Sequence, residues 1–249
     1  MVVLKTQRDL EAMRVAGRIS AQALLVGGEA VKPGVSTWDI DQAMHKFIKS
    51  QGAVPSFLGY GGFPACACIS VNDQVIHGIP SHERIIHEGD IVSIDVGACY
   101  KGFHGDNAAT FAAGKISDEA QKLLDVTKES LVRGIAAALA GNRIGDISNA
   151  VQTYVEANGF DVVREYIGHG VGRNLHEEPE VPNFGRQGHG PRLLPGMTIA
   201  VEPMVNAKGW EVRRMPDGWT VLTKSGSLSA HFEHTIAITS NGPVILTQP

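Results

Sequence analysis

No stretch of this chain approaches the roughly 20 consecutive apolar residues that a membrane-spanning helix requires, so no membrane span is expected. Excess positive charge is also missing. The 22 lysines and arginines are outnumbered by 26 acids, and the net charge of −4 leaves no basic surface of the kind a nucleic-acid binder uses. Cysteine is scarce. Three residues, Cys66, Cys68 and Cys99, in a chain whose start (MVVLKTQRDLEAMR) lacks the layout of a secretory signal, read as reduced thiols of a cytoplasmic protein rather than a disulfide framework. No G-x-x-x-x-G-K-[ST] loop, no H-E-x-x-H helix and no nucleophile elbow is present. What remains is an ordinary soluble composition, 43% apolar and 19% charged over 249 residues, enough for a substantial core.

Hydrophobic periodicity predicts a helix from Thr6 to about Ala30, capped by Thr6 with Asp9 three positions on. A second helix is predicted from near Ser36 to a stop at Gly52. Short strands and turns follow from Ser56 to Ala113. Among them, residues 91–100 and 107–114 pair as a hairpin turning at Lys101-Gly102. Helices are predicted again at Ser117–Ala140 and Asp146–Asn158, then strands at 160–165, 197–202, 210–214, 219–224, 231–239 and 243–247. A shift of 107 residues lays Gly34, Asp39, Ile40, Ala43, Phe47 and Gly52 on Gly141, Asp146, Ile147, Ala150, Tyr154 and Gly159. Two amphipathic helices can match this way by coincidence. Two helices then strands, twice over, nevertheless point to one α+β domain over 1–249, with related halves at about 6–113 and 117–247 facing each other across a cleft.

Five segments put metal-capable side chains in apolar or glycine-rich settings. Asp95 interrupts the apolar strand Ser93-Ile94-Asp95-Val96-Gly97. Asp106 lies on the next strand, in His104-Gly105-Asp106-Asn107, and the hairpin is expected to bring the two acids nearly opposite each other. Two buried carboxylates that close repel strongly unless a cation lies between them. His169 sits among three glycines in Gly168-His169-Gly170-Val171-Gly172, with His176 seven residues on. A lone histidine in such a loop is more often structural, but a pair in this glycine pattern is less ordinary. Glu202 ends the apolar run Ala200-Val201, and Glu233 opens the strand TIAIT. Four carboxylates and one imidazole balance two divalent cations, and an oxygen-rich set with one histidine favours manganese, iron or cobalt. Two such ions roughly 3.5–4 Å apart share one hydroxide as nucleophile, which implies amide or ester hydrolysis.

At this point a resemblance appears. VSIDVGA with HGDNAATF, GHGVGRNLHEEP, AVEPM and SAHFEHTIAIT are similar, in order and from about Thr6 to Leu246, to the successive motifs of bacterial type I methionine aminopeptidases. The resemblance implies the pita-bread (creatinase/aminopeptidase) fold, with two pseudo-symmetric halves around a central dinuclear site. It implies removal of the initiator methionine from nascent polypeptides with a small second residue. Asp95 would hold one metal, His169 and Glu202 the other, and Asp106 and Glu233 would bridge them. Glu202 would also take a proton from the attacking water. His77 would meet the scissile amide and His176 would polarise the carbonyl; without the resemblance His77 reads as a surface turn residue. The methionine pocket would comprise Phe57, Tyr60, Phe63, Cys68, Leu175 and Trp219, an apolar lining suited to a thioether. Phe57, Leu175 and His231 depart from the residues common in relatives (cysteine, phenylalanine and glutamine). Asn72, Gln74 and Ser229 match a monovalent-cation site for sodium or potassium, built largely from main-chain carbonyls. A cytoplasmic monomer is expected. Ribosome contact is compatible with the resemblance, although no basic patch marks it.

Two other readings compete. A proline-specific aminopeptidase or dipeptidase shares the five ligands and the GHG…H-E-x-P pattern, but usually carries a further N-terminal domain. A non-catalytic pita-bread binding protein would lose ligands, and here all five and both histidines are present.

Overall fold

The computed structural model describes residues 2–249. Helix α1 (Gln7–Ala30) begins where the sequence places its cap: Asp9 N–H donates to Thr6 Oγ1, and Thr6 N–H donates to Asp9 Oδ2. Helix α2 (Thr37–Ser50) follows, capped by Ser36. Strands β1 (Val54–Pro55), β2 (Ala67–Val71) and β3 (Gln74–Ile76) lead to a long hairpin, β4 (Ile91–Tyr100) and β5 (Phe103–Ala112). Its turn is Lys101-Gly102, both with positive φ (50° and 79°), the geometry whose twist suits a two-residue hairpin.

Helices α3 (Asp118–Ala137) and α4 (Ile144–Ala157) come next. Helix α4 starts two residues before the expected Asp146, because Asp146 Oδ2 accepts from Arg143 N–H and so caps the helix from inside its first turn. A displacement of 107 residues carries α2 onto α4 end to end, 14 residues on 14. The second run of strands is β6 (Asp161–Val162), β7 (Gly168–Gly170), β8 (Glu177–Val181), β9 (Thr198–Val201), β10 (Met204–Asn206), β11 (Val212–Arg214), β12 (Val221–Thr223), β13 (Ser229–His231), β14 (Glu233–Thr239) and β15 (Gly242–Ile245). The expected strand at 160–165 shrinks to two residues, and 231–239 is broken at Phe232 into β13 and β14.

One nine-stranded sheet dominates, in the order β1-β4-β5-β14-β9-β7-β8, with β2 on β4 and β15 on β14. The antiparallel seam between β5 and β14 joins the two runs of strands. Helices α1 and α2 bury one face of the first run through Ile19, Ala23, Ile40, Met44 and Ile48, against Val92, Ile94, Val96 and Ala98 of β4. Helices α3 and α4 cover the second run through Leu131, Ile135 and Ile147 against Ile199, Val201, Ile236 and Ile238.

The period of two then decides where the acids go. Val92, Ile94 and Val96 point toward the helices, so Asp95 points away from them. On β5, Asn107 accepts from Ser20 Oγ of α1 at 2.5 Å, so Asp106 faces the other side. Close packing on α1 requires two glycines, one where β5 crosses the helix and one where the C-terminal segment does. A Cβ at Gly105 would lie 2.5 Å from Gly17 Cα, and one at Gly17 would lie 2.3 Å from the Leu246 carbonyl.

Candidate metal centre and its pocket

The acids meet at the seam on the helix-free face. Asp95 of β4 and Glu233 of β14 are each registered opposite Ala108 of β5, one from either side. Asp106 is registered opposite Gly97, two positions from Asp95, so the two aspartates are diagonal neighbours rather than directly opposed. Glu202 follows β9, and His169 occupies the middle of β7. His169 Nε2 lies 3.5 Å from Glu202 Oε1 and 3.7 Å from Asp106 Oδ2. Ligand atoms of Asp106, His169 and Glu233 all fall within 4.8 Å of one another. All five predicted metal ligands line one cavity of about 240 Å³.

These carboxylates lack partners. Asp95 Oδ1, Asp106 Oδ1, Glu202 Oε1 and Glu233 Oε1 are buried and accept no hydrogen bond. An orphaned buried carboxylate oxygen is costly, and four aimed into one cavity fit divalent cations rather than a satisfied core. Their proton affinities follow. Burial, with Asp106 adding repulsion, holds Asp95 well above the carboxylate range, and burial raises Asp106 to about 7. Glu202 and Glu233 are pushed up by burial first and by neighbouring acids second. His169 moves the opposite way, to about 3, through burial and then the nearby His176. It is therefore neutral at physiological pH, the form that ligates a metal.

The other end of the cavity is apolar. Phe57, Phe63, Cys68 and Leu175 pack together with Trp219 against them, and Phe63 meets Trp219 edge-on at 5.2 Å between centroids. Tyr60, in a 3-10 turn (Tyr60–Gly62), completes the lining. All six predicted pocket residues thus come together. Burial pushes the Cys68 thiol well above its ordinary range, so it serves as a small apolar wall.

Two histidines stand at the mouth. His77 is half-buried and lines the cavity, rather than being the surface turn residue its local sequence suggests; its φ of 57° turns the ring toward Trp219 and Tyr166. His176 is exposed, its ring 4.0 Å from that of His169, and its Nδ1 is 2.9 Å from the Tyr60 hydroxyl.

Asn72, Gln74 and Ser229 lie outside the cavity. Ser229 N–H donates to Asn72 O, Asn72 Nδ2 donates to Asp90, Gln74 Oε1 accepts from Val71 N–H, and Ser229 Oγ lies 2.9 Å from Asn206 Oδ1. Their side chains are engaged in the fold, so only main-chain oxygens would be free for a cation.

In the sequence His231 stands out only as a departure from relatives. The structure buries it with Nε2 unpartnered, 3.9 Å from Glu202 Oε2 and 4.0 Å from Glu233 Oε2. Its position two residues before Glu233 was the available signal, but the break at Phe232 hid which way it faces.

The seam gathers the donor set of a metal centre beside a pocket, as a metal-dependent hydrolase requires, and the comparisons name the class. The model of metallopeptidase family M24 matches residues 11–240, and the chain belongs to that family. It is 53% identical over 248 residues to methionine aminopeptidase 1 of Bacillus subtilis, with all of both chains covered. It is 54% identical over 247 residues to the methionine aminopeptidase of Clostridium perfringens, covering 99% of each. The crystal structure of methionine aminopeptidase from Thermotoga maritima superposes with a TM-score of 0.99 at 45% identity, all of both chains covered. The fold is the pita-bread fold of that family.

Proposed function

We propose that this chain removes the initiator methionine from new polypeptides, and that Asp95, Asp106, His169, Glu202 and Glu233 hold two divalent ions for the purpose. The chain is a metal-dependent aminopeptidase. The observation that carries the reading is the set of four unpartnered, buried carboxylate oxygens in the same cavity as an aromatic, thiol-lined pocket.

Divalent ions held there supply Lewis acidity toward the scissile carbonyl and activate water for attack. The protein's own groups do the rest. The methionine side chain fills the space between Phe57, Phe63, Cys68, Leu175 and Trp219, with Tyr60 at the rim, which fixes the first residue and leaves the peptide bond at the acids. Glu202 accepts the proton of the attacking water. His176, with Nδ1 engaged by the Tyr60 hydroxyl, presents Nε2–H to the carbonyl oxygen as negative charge develops there. His77, held neutral by burial with a pKa near 4, meets the scissile amide.

Manganese, iron and cobalt suit the oxygen-rich donor set. A sodium or potassium ion near Asn72, Gln74 and Ser229 belongs to the same reading; the hydrogen bond from Ser229 N–H to Asn72 O brings two of these segments together, although it already engages one main-chain oxygen. A cytoplasmic monomer meeting its substrate near the ribosome belongs to it too; of these, only the cytoplasmic setting is supported, by three free thiols. Hydrolysis of Met-Ala-Ser by protein loaded with Mn²⁺ or Co²⁺, with little action on Ala-Pro peptides, is the expected result. The opposite preference would overturn the reading in favour of a proline-specific enzyme.

A further inference from the structure

Lys5 precedes α1 and is remote in sequence from every residue of the centre, yet its side chain is only 4% exposed. A buried ammonium needs a partner. Lys5 Nζ finds one in Glu177 Oε2 at 2.5 Å, a carboxylate whose own side chain is 9% exposed, and it also donates to Val3 O at 3.1 Å. Glu177 is the residue after His176.

The pair closes a small, tightly filled loop. Glu177 Oε1 accepts from the Asn174 N–H, Gly172 N–H donates to Asn174 O, and His104 N–H donates to Gly172 O. Gly172 is packed against the ion pair itself: a Cβ there would lie 2.4 Å from Glu177 Oε1 and 2.6 Å from Lys5 Cε. At the other end, Lys5 N–H donates to Gly196 O, which anchors the N-terminal arm to the turn before β9, the strand leading to Glu202. Lys5 therefore links the turn before β9 to the loop that carries His176.

We propose that Lys5 is a positioning residue for catalysis: its buried ion pair with Glu177 fixes the Gly172–Glu177 loop so that the His176 imidazole stays beside His169 at the mouth of the pocket. The physical reason is the exposure of His176. The exposed ring stacks on Tyr60 at 5.2 Å between centroids and meets His169 at 4.0 Å, but Tyr60, which also takes its hydrogen bond, is itself 44% exposed, so these contacts leave the ring's backbone to be fixed from elsewhere. Leu175, one residue earlier, is 2% exposed and held by the pocket cluster, so the pocket wall does not depend on the tether. A buried ion pair adds little net stability over a well-packed apolar pair. What this one supplies is a fixed distance. The inference rests on the role given to His176 above.

The test uses the full chain loaded with Mn²⁺, hydrolysis of Met-Ala-Ser, and amide hydrogen exchange. In Lys5→Met, kcat is expected to fall about tenfold to a hundredfold with KM changing far less, and exchange at the Asn174 amide to accelerate. In a His176→Ala background, the same Lys5→Met change is expected to alter kcat by less than about twofold, because the effect runs through His176. If Lys5→Met does not fold, Lys5→Met/Glu177→Gln leaves no unpaired charge and should fold with the same loss of kcat. Unchanged kcat in either variant, or an equal loss with and without His176, would overturn the proposal. His176→Ala retaining full turnover would instead overturn the role of His176, and Asn174 exchange in Lys5→Met would then decide the tether: faster exchange upholds it and unchanged protection overturns it.

Discussion

Asp95 and Asp106 stand on the same face of one hairpin as a diagonal pair, with Asp95 opposite Ala108 and Asp106 opposite Gly97. Gly97, between them, lets Ser56 and Phe57 pack onto the strand: a Cβ there would lie 2.8 Å from Ser56 Cβ and 2.9 Å from Phe57 Cε1. Both carboxylates are raised in proton affinity by burial, as are Glu202 and Glu233. The folded, metal-free chain therefore binds protons on these acids more tightly than the unfolded chain does, and loses stability as pH rises from the ordinary carboxylate range through about 7 for Asp106. The histidines act oppositely. His169 and His231, lowered to about 3, and His77 and His234, lowered to about 4, add stability as pH rises up to and through their ordinary 6.5, a gain complete about one pH unit above it. Above about pH 7.5 the acids outweigh them. With chelator present, the melting temperature is expected to fall from about pH 7.5 to about pH 8.5, and saturating Mn²⁺ to remove the slope. A flat profile in chelator would contradict the buried-acid account.

Metal binding and turnover should separate by residue. Asp106→Asn removes a charge from the middle of the acid cluster and is expected to lower bound Mn²⁺ per chain, read by elemental analysis after dialysis. His176→Ala is expected to leave metal content unchanged while kcat falls by about two orders of magnitude, the scale of losing a hydrogen bond made chiefly in the transition state. Equal metal loss in both variants would refute the division of labour.

The crossing of α1 over β5 predicts a stability defect without a chemical one. Gly105→Ala places a methyl within 2.5 Å of Gly17 backbone atoms, which cannot swing aside as a side chain would. A loss of about 1–3 kcal/mol is expected from overpacking, measured by urea unfolding. Wild-type stability would mean that the helix and the strand can separate.

Pocket contacts should appear in KM. Trp219 packs on Phe63 and stands near His77, at 6.2 Å between ring centroids. Trp219→Ala is expected to raise KM for Met-Ala-Ser about tenfold, as loss of roughly 1.4 kcal/mol of binding, with metal content unaltered. An unchanged KM would remove Trp219 from the substrate's surroundings.

What the sequence determined by itself was local or repetitive in origin. The caps at Thr6 and Ser36, the turn at Lys101-Gly102 and the 107-residue repeat of α2 in α4 follow from short-range rules. The acids in apolar strands were conspicuous because a buried charge needs a reason. The tertiary structure alone decided what distant segments do to each other. It set Asp95 and Asp106 on a diagonal, turned His77 into the pocket through a left-handed backbone, brought His231 beside Glu202 and Glu233, and paired Lys5 with Glu177. Those relationships depend on strand register and on contacts between residues far apart in the chain, and no local pattern encodes either.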